Sequence, residues 1–176
     1  MKIALIEPFY SGSHKSWVDG FKKESQFDVS LFTLEGRHWK WRMHGAALSI
    51  AQKINDKDQY FDILLCTDFL DVATFKALLK PELFGKIVVY FHENQITYPW
   101  NNGDADVANN RDRHYGWINY TSAIVADACL FNSKFHKDQF ILAIPDYLAG
   151  FPDDIIDRST EITGKSDVLH VGVDYS

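Results

Sequence analysis

The run Ile87–Phe91 restricts the fold of this chain more than any other segment. Its residues, IVVYF, are all β-branched or aromatic, and no polar residue interrupts them. A strand of this kind must be covered on both faces, which is typical of a parallel sheet packed between helices. Four polar residues, His92, Glu93, Asn94 and Gln95, follow directly. Ligands of such sheets bind just beyond the carboxyl ends of the strands, so this cluster is a candidate site.

The remaining sequence alternates between strand-like and helix-like segments. In addition to Ile87–Phe91, the expected strands are Lys2–Glu7, Phe27–Thr33, Phe61–Cys66, Asp127–Phe131 and Val168–Val173. Helices are expected between them, with Pro8 ending the first strand and Pro145 ending the helix after the fifth. This order predicts an α/β fold, with a Rossmann-like parallel sheet and helices on both faces, as a single domain over residues 1–176.

Composition narrows the class of protein. A hydrophobic content of 46% with 15% aromatic residues is typical of a folded globular chain, and a net charge of −6 gives no broad nucleic-acid footprint. Cys66 and Cys129 flank apolar runs, which favours buried thiols in a reducing compartment. Two cysteines are too few to form a structural zinc site by themselves. No apolar run is long enough for a signal peptide or a membrane span, so we expect a cytoplasmic location and no membrane partner.

Two segments upstream of the polar cluster are candidate binding elements. Gly12, Ser13 and His14 follow the first expected strand, where a small loop can present backbone N–H groups to an anion or a sugar hydroxyl. The alternative is an ordinary turn in which Ser13 caps the next helix. Trp39 and Trp41 alternate with basic residues in HWKWR. They could stack a base or sugar while Arg42 grips a phosphate, or they could pin a loop to the core.

Further candidates lie on later elements of the expected sheet. Tyr115 and Asn119 are four residues apart on one side of a helix, and Asn132 and Ser133 end the fifth strand at the same edge as His92. A core tyrosine, a surface asparagine and a serine helix cap are the alternatives. The cluster His92–Gln95 could likewise only cap the next element.

Four segments taken together resemble one known family. They are GSHKSW, HWKWR, YFHENQITYP and VADACLFNSKF, spread from residue 1 to about residue 145. In combination they are similar to the N-terminal domain of the tRNA-queuosine α-mannosyltransferases. These are retaining glycosyltransferases of the GT-B type, so the resemblance implies the N-terminal half of a GT-B fold.

The resemblance implies transfer of mannose from GDP-mannose to queuosine in a tRNA anticodon, with no cofactor and no required metal. His92 and Glu93 would be catalytic, with their individual roles left open. The other candidates would bind substrate: Gly12, Ser13, His14, Trp39, Trp41, Arg42, Asn94, Gln95, Tyr115, Asn119, Asn132 and Ser133.

In this family the N-terminal domain mainly holds the acceptor and a C-terminal domain mainly holds the nucleotide-sugar. These 176 residues contain no second unit of that kind, so the isolated domain is expected to be inactive. Its uncovered interdomain surface is then a route to self-association. The alternative function is a non-catalytic module that binds carbohydrate or nucleotide in the same cleft. The absence of G-x-G-x-x-G and G-x-S-x-G motifs disfavours an epimerase or a serine hydrolase.

Overall fold

Six parallel strands form one sheet in the computed structural model, which describes residues 1–101, 103–109 and 111–172. The strands are β1 (Lys2–Tyr10), β2 (Asp28–Glu35), β3 (Phe61–Thr67), β4 (Phe84–Phe91), β5 (Ala128–Phe131) and β6 (Ser166–Val168). Their spatial order is β2-β1-β3-β4-β5-β6, and every neighbouring pair is parallel. The predicted α/β, Rossmann-like class is confirmed.

Helices connect the strands and cover the sheet. They are α1 (Gly12–Glu24), α2 (Trp39–Lys57), α3 (Val72–Leu78), α4 (Ala105–Ala108), α5 (Arg113–Val125), α6 (Lys134–Leu148) and α7 (Ser159–Gly164), with a short 3₁₀ turn at Pro81–Leu83. None of these helices, within the described residues, is long and apolar enough to cross a membrane.

Alternate residues of β1 enter different layers of the core. Leu5 packs in a cluster with Trp17 of α1, whereas Ile6 packs in the larger cluster with Ile50 of α2. Residues of α3, α5 and α6 join the larger cluster. The covering helices therefore change face between the β1–α1 and β3–α3 units. Such a reversal places a crevice at the carboxyl ends of the strands, where ligands bind in open α/β sheets.

Both prolines expected to end an element lie inside one. β1 continues to Tyr10, and Pro8 falls where its pairing with β2 shifts register, between Glu7 and Tyr10. A strand tolerates a residue without an N–H at such an irregularity. α6 runs past Pro145 to Leu148, because Ile144 and Leu148 are both buried and the packing continues beyond the proline.

Two further boundaries differ from expectation. The tryptophan-rich segment is not a loop, since α2 begins at Trp39, after His38 in a left-handed conformation with φ 55°. The last strand is Ser166–Val168, which pairs with β5, rather than Val168–Val173. Pairing with β5, and not the apolar run in the sequence, therefore determines where this strand lies in the chain. Val173 lies outside the described residues.

Candidate functional site at the carboxyl edge of the sheet

A cavity of about 430 Å³ opens where adjacent strands end. Phe9 comes from the end of β1 and Phe69 follows β3, while Glu93 follows β4. Trp39, the first residue of α2, is supplied by the segment after β2. Because parallel strands place their carboxyl ends along one edge, residues distant in sequence meet at this point.

One wall of the cavity is aromatic. Its members are Phe9, Trp39, Phe69, Tyr98 and Trp100. The ring centroids of Phe9 and Phe69 are 5.3 Å apart, and those of Trp39 and Trp100 are 5.8 Å apart. Such surfaces bind the face of a base or the apolar face of a sugar.

Polar side chains also line the cavity. They are Ser13, His14, Glu93, Gln95, Asn101 and Asp104. Aromatic rings beside a few polar groups are typical of small-molecule sites. The sequence candidates that line the cavity are therefore Ser13, His14, Trp39, Glu93 and Gln95.

His14 carries the charged imidazole of the site. Its Nδ1 atom donates a hydrogen bond of 2.9 Å to the Oε2 atom of Glu7, a carboxylate that is 0% exposed. Burial alone would lower the pKa of His14. The hydrogen bond to Glu7 and the charges of Asp68, Glu7 and Glu93 outweigh burial and raise that pKa to about 9. His14 therefore places a fixed positive charge at the cavity floor at neutral pH.

His92 lies beside His14 but remains neutral. The centroids of the two rings are 4.4 Å apart. Burial, followed by the charges of His14 and His136, lowers the pKa of His92 to about 3. Of the two histidines, His14 is therefore the cation at neutral pH. Among the described residues, the buried Nε2 atom of His92 has no hydrogen-bond partner.

Asp68 is a buried carboxylate that follows β3 and does not cap the next helix. Its Oδ1 atom accepts a hydrogen bond of 3.0 Å from the backbone N–H of His92. Burial raises the pKa of Asp68 to about 7, against the opposing charge of His14. Asp71 caps α3 instead, by accepting from Thr74 N–H at 3.0 Å.

Glu93 is the carboxylate that β4 delivers to the cavity. Burial is the largest effect on Glu93 and raises its pKa, whereas His14 and the hydrogen bond from Gln95 act in the opposite direction. The Nε2 atom of Gln95 donates to Glu93 Oε1 at 3.1 Å. Glu93 therefore retains acceptor capacity for a ligand.

Two of the predicted site asparagines brace the backbone. Asn119, which is 1% exposed, accepts from Gln95 N–H at 2.7 Å and donates to the carbonyl oxygen of Asp68 at 2.9 Å. Asn132 donates to the carbonyl oxygen of His92 at 2.7 Å. Both side chains hold the strand-end loops in place and do not line the cavity.

Asn94 and Ser133 satisfy local backbone groups. The Oδ1 atom of Asn94 accepts from the N–H groups of Ile96 and Thr97, at 3.1 and 3.0 Å. Ser133 caps α6 by accepting from His136 N–H at 3.1 Å. The capping alternative accounts for both contacts.

The remaining candidates lie at or outside the rim. Gly12 begins α1 with φ +52° and does not line the cavity. Trp41 is 64% exposed and points away from the cavity lining. Arg42 donates through Nε to the carbonyl oxygen at the end of β2, at 3.1 Å. Tyr115 is buried, and its hydroxyl donates to Asp106 Oδ2 at 3.0 Å.

Sequence analysis missed a lysine bridge that holds the segment beside the cavity. The Nζ atom of Lys40 lies 2.6 Å from Asp104 Oδ1 and 2.5 Å from Asp106 Oδ2. The same ammonium lies 5.7 and 5.5 Å from the ring centroids of Trp39 and Trp100. No local pattern reveals a contact across 64 residues. The aromatic wall could have been anticipated from Trp100, which directly follows Tyr98 and Pro99 in the sequence.

One group in the site approaches the spacing of metal ligands. Glu7, His14 and His92 each offer a donor atom, and these atoms lie within 4.8 Å of one another. A metal ligand must be deprotonated, and His14 holds its proton up to a pKa of about 9. The Nδ1 atom of His14 is already bonded to Glu7 Oε2 at 2.9 Å, and our expectation of no metal stays a prediction.

The sheet and cavity together define a Rossmann-like α/β domain with a cavity at the carboxyl edge of its strands. A family described as the tRNA-queuosine alpha-mannosyltransferase N-terminal domain matches residues 2–173, and this chain belongs to that family. A curated protein of Drosophila melanogaster, named tRNA-queuosine alpha-mannosyltransferase, is 35% identical over 98% of this chain. The chain spans 45% of the length of that relative.

Proposed function

We propose that this chain is the acceptor-binding part of a retaining GT-B glycosyltransferase that transfers mannose from GDP-mannose to queuosine in tRNA. The observation that carries the proposal is the cavity, whose lining combines aromatic rings with the polar side chains of His14, Glu93 and Gln95. A base-linked diol needs both kinds of surface, because its base stacks and its hydroxyls require acceptors and donors.

His14 and Glu93 have complementary parts in this proposal. The cation of His14 would stabilise negative charge on the departing phosphate, whereas Glu93 would accept hydrogen bonds from the acceptor. His92, the second catalytic candidate, is neutral and would act as a hydrogen-bonding group beside His14 rather than as an acid. Transfer would also require the part of the relatives that these residues do not cover.

The proposal includes location and partners. Cys66 and Cys129 are both buried free thiols, which fits a reducing cytoplasm. Exposed Trp41 would contact tRNA outside the cavity. Phe135 and Leu142, seven residues apart on α6, are 75% and 72% exposed, and this apolar surface could mediate contact with a further domain or self-association.

The test compares two anticodon stem-loops that differ only in carrying queuosine or guanosine. The chain should bind the queuosine form at least about tenfold more tightly, since the extra amine and diol add contacts worth about 1.4 kcal/mol or more. Titration of each fluorescein-labelled stem-loop by fluorescence polarisation measures this ratio. Equal affinities would overturn the acceptor assignment.

Trp41→Ala separates the tRNA contact from the nucleoside contact. It should weaken stem-loop binding about fivefold and leave queuosine nucleoside binding unchanged, because an exposed indole stacks with about 1 kcal/mol. Leu48→Ala is a control on α2, because Leu48 is similarly exposed at 63%. Equal loss of both ligands in Trp41→Ala would place Trp41 in the nucleoside site.

A further inference from the structure

The aromatic rings of the cavity and the charges around it both bear on the charge of its ligand. Its aromatic wall already accommodates an ammonium, since Lys40 Nζ lies 5.7 and 5.5 Å from the ring centroids of Trp39 and Trp100. The quadrupole of such rings attracts cations.

Carboxylates outnumber cations in and around the cavity. The groups that line the cavity or interact with its lining include four carboxylates, Glu7, Glu93, Asp104 and Asp106, and two cations, His14 and Lys40. His92 adds no charge, because burial keeps it neutral.

Glu93 is the lining carboxylate that forms no salt bridge within the described part of the chain, although the charge of His14 lies near enough to lower its pKa. Glu7 is bonded to His14, and Asp104 is bonded to Lys40. The hydrogen bond that Glu93 receives comes from the neutral amide of Gln95. A half-buried carboxylate with no directly bonded cation favours a ligand that brings one.

We propose that the cavity selects a planar base that bears an ammonium group, and that Glu93 is the specificity-determining residue that receives this ammonium. The proposal rests on the function given above and deepens it. Queuosine joins its deazaguanine base to the cyclopentene-diol through a secondary amine, which is protonated at neutral pH. The ammonium on Glu93 would place the base against the aromatic wall and the diol towards His14.

A matched pair of small ligands tests the charge preference without donor or tRNA. The probes are 7-aminomethyl-7-deazaguanine, which is cationic, and 7-hydroxymethyl-7-deazaguanine, its neutral isostere. By calorimetry at pH 7, the chain should bind the cationic base at least about tenfold more tightly, as a charge-assisted hydrogen bond requires. In Glu93→Gln the ratio should fall below about threefold, because the amide keeps the shape but loses the charge.

Glu82→Gln is the control, because Glu82 is exposed in the 3₁₀ turn before β4, at the opposite edge of the sheet. It removes the same charge and should leave the ratio unchanged, and thermal unfolding verifies that both variants fold. Equal binding of the two bases by the unmodified chain, or a full preference retained in Glu93→Gln, would overturn the proposal.

The stem-loop titration separates this inference from the proposed function. Preference for the queuosine stem-loop with no charge preference among the bases would leave the function standing and reject the role of Glu93. Charge preference that depends on Glu93, without discrimination between the stem-loops, would support the cation site and reject the queuosine acceptor.

Discussion

Two groups of polar side chains lie at the carboxyl edge of the sheet and use their atoms differently. The brace consists of Asn94, Asn119 and Asn132, whose amides are bonded to backbone groups of the strand-end loops. The second group, called the wall residues, consists of His14, Glu93 and Gln95, whose side chains line the cavity.

The difference shows that neighbouring residues of one motif divide between support and contact. In His92–Gln95, Asn94 satisfies its own turn, whereas Glu93 and Gln95 face the cavity. Brace residues should therefore control stability, and wall residues should control binding. The predictions below test that division, starting with the largest effect.

Asn119→Ala should be the most destabilising change. It leaves the N–H of Gln95 and the carbonyl oxygen of Asp68 without their partner in a buried site. Each unsatisfied group costs about 1–3 kcal/mol, so we expect a loss of about 4 kcal/mol in the free energy of unfolding. Urea unfolding measures this loss. Gln52→Ala, at an exposed position of α2, should change stability by less than about 0.5 kcal/mol. A loss in the free energy of unfolding that is equally small for both variants would contradict the role of Asn119 as a brace.

The pH dependence of stability should show the His14–Glu7 pair. The pKa of a histidine is about 6.5 in the unfolded chain, and that of His14 is about 9 in the folded chain. The stabilisation is therefore complete below pH about 6.5 and is lost as pH rises through about 9. Its full extent is about 3 kcal/mol.

His14→Gln isolates this contribution in the same urea experiment. The stability difference between wild type and His14→Gln should shrink as pH rises from 6.5 to 9. His170→Gln, at an exposed position, should follow wild type. A difference that stays constant across the window would show that His14 does not carry the charge.

Tyr98→Ala should weaken binding while sparing stability. Tyr98 lines the cavity and is 49% exposed. Loss of about 1 kcal/mol of stacking predicts about fivefold weaker binding of queuosine nucleoside by calorimetry. Tyr60, which is 50% exposed just before β3, provides the matched control Tyr60→Ala. Equal losses in the two variants would place the ligand elsewhere.

Lys40→Met should have the smallest effect on stability. The ion pairs of Lys40 with Asp104 and Asp106 are partly exposed, and such pairs contribute about 1 kcal/mol or less. Backbone amides of residues 103–109 should exchange hydrogen faster, because the bridge that holds them to α2 is gone. Lys53→Met, at an exposed position of the same helix, should leave exchange unchanged. Unchanged exchange in Lys40→Met would show that the bridge does not hold this segment.

The sequence predicted the sheet because apolar periodicity is a local signal. The run Ile87–Phe91 lies within β4, and Phe61–Cys66 is one residue shorter than β3. The limits set by Pro8 and Pro145 were wrong, because core packing and a register shift override local proline effects.

The site was predictable where strand order alone sets proximity. His14, in the first turn of α1 after β1, and His92, directly after β4, both lie at the carboxyl edge of the sheet, and their rings lie together. The burial of Glu7 and Asp68 and the bridge from Lys40 to Asp104 depend on tertiary contacts, which leave no periodic trace in the sequence. Whether each asparagine bonds to the backbone or lines the cavity depends on the groups around it, which only the folded chain shows.

The central claim is that the cavity binds the modified base, and indole NMR tests it most directly. The chain has five tryptophans, of which Trp39 and Trp100 line the cavity and Trp117 packs on Phe151 away from it. When queuosine nucleoside is added to ¹⁵N-tryptophan-labelled chain, the indole N–H signals of Trp39 and Trp100 should shift and that of Trp117 should not. Saturable shifts confined to Trp117, or no shift at millimolar nucleoside, would contradict the account.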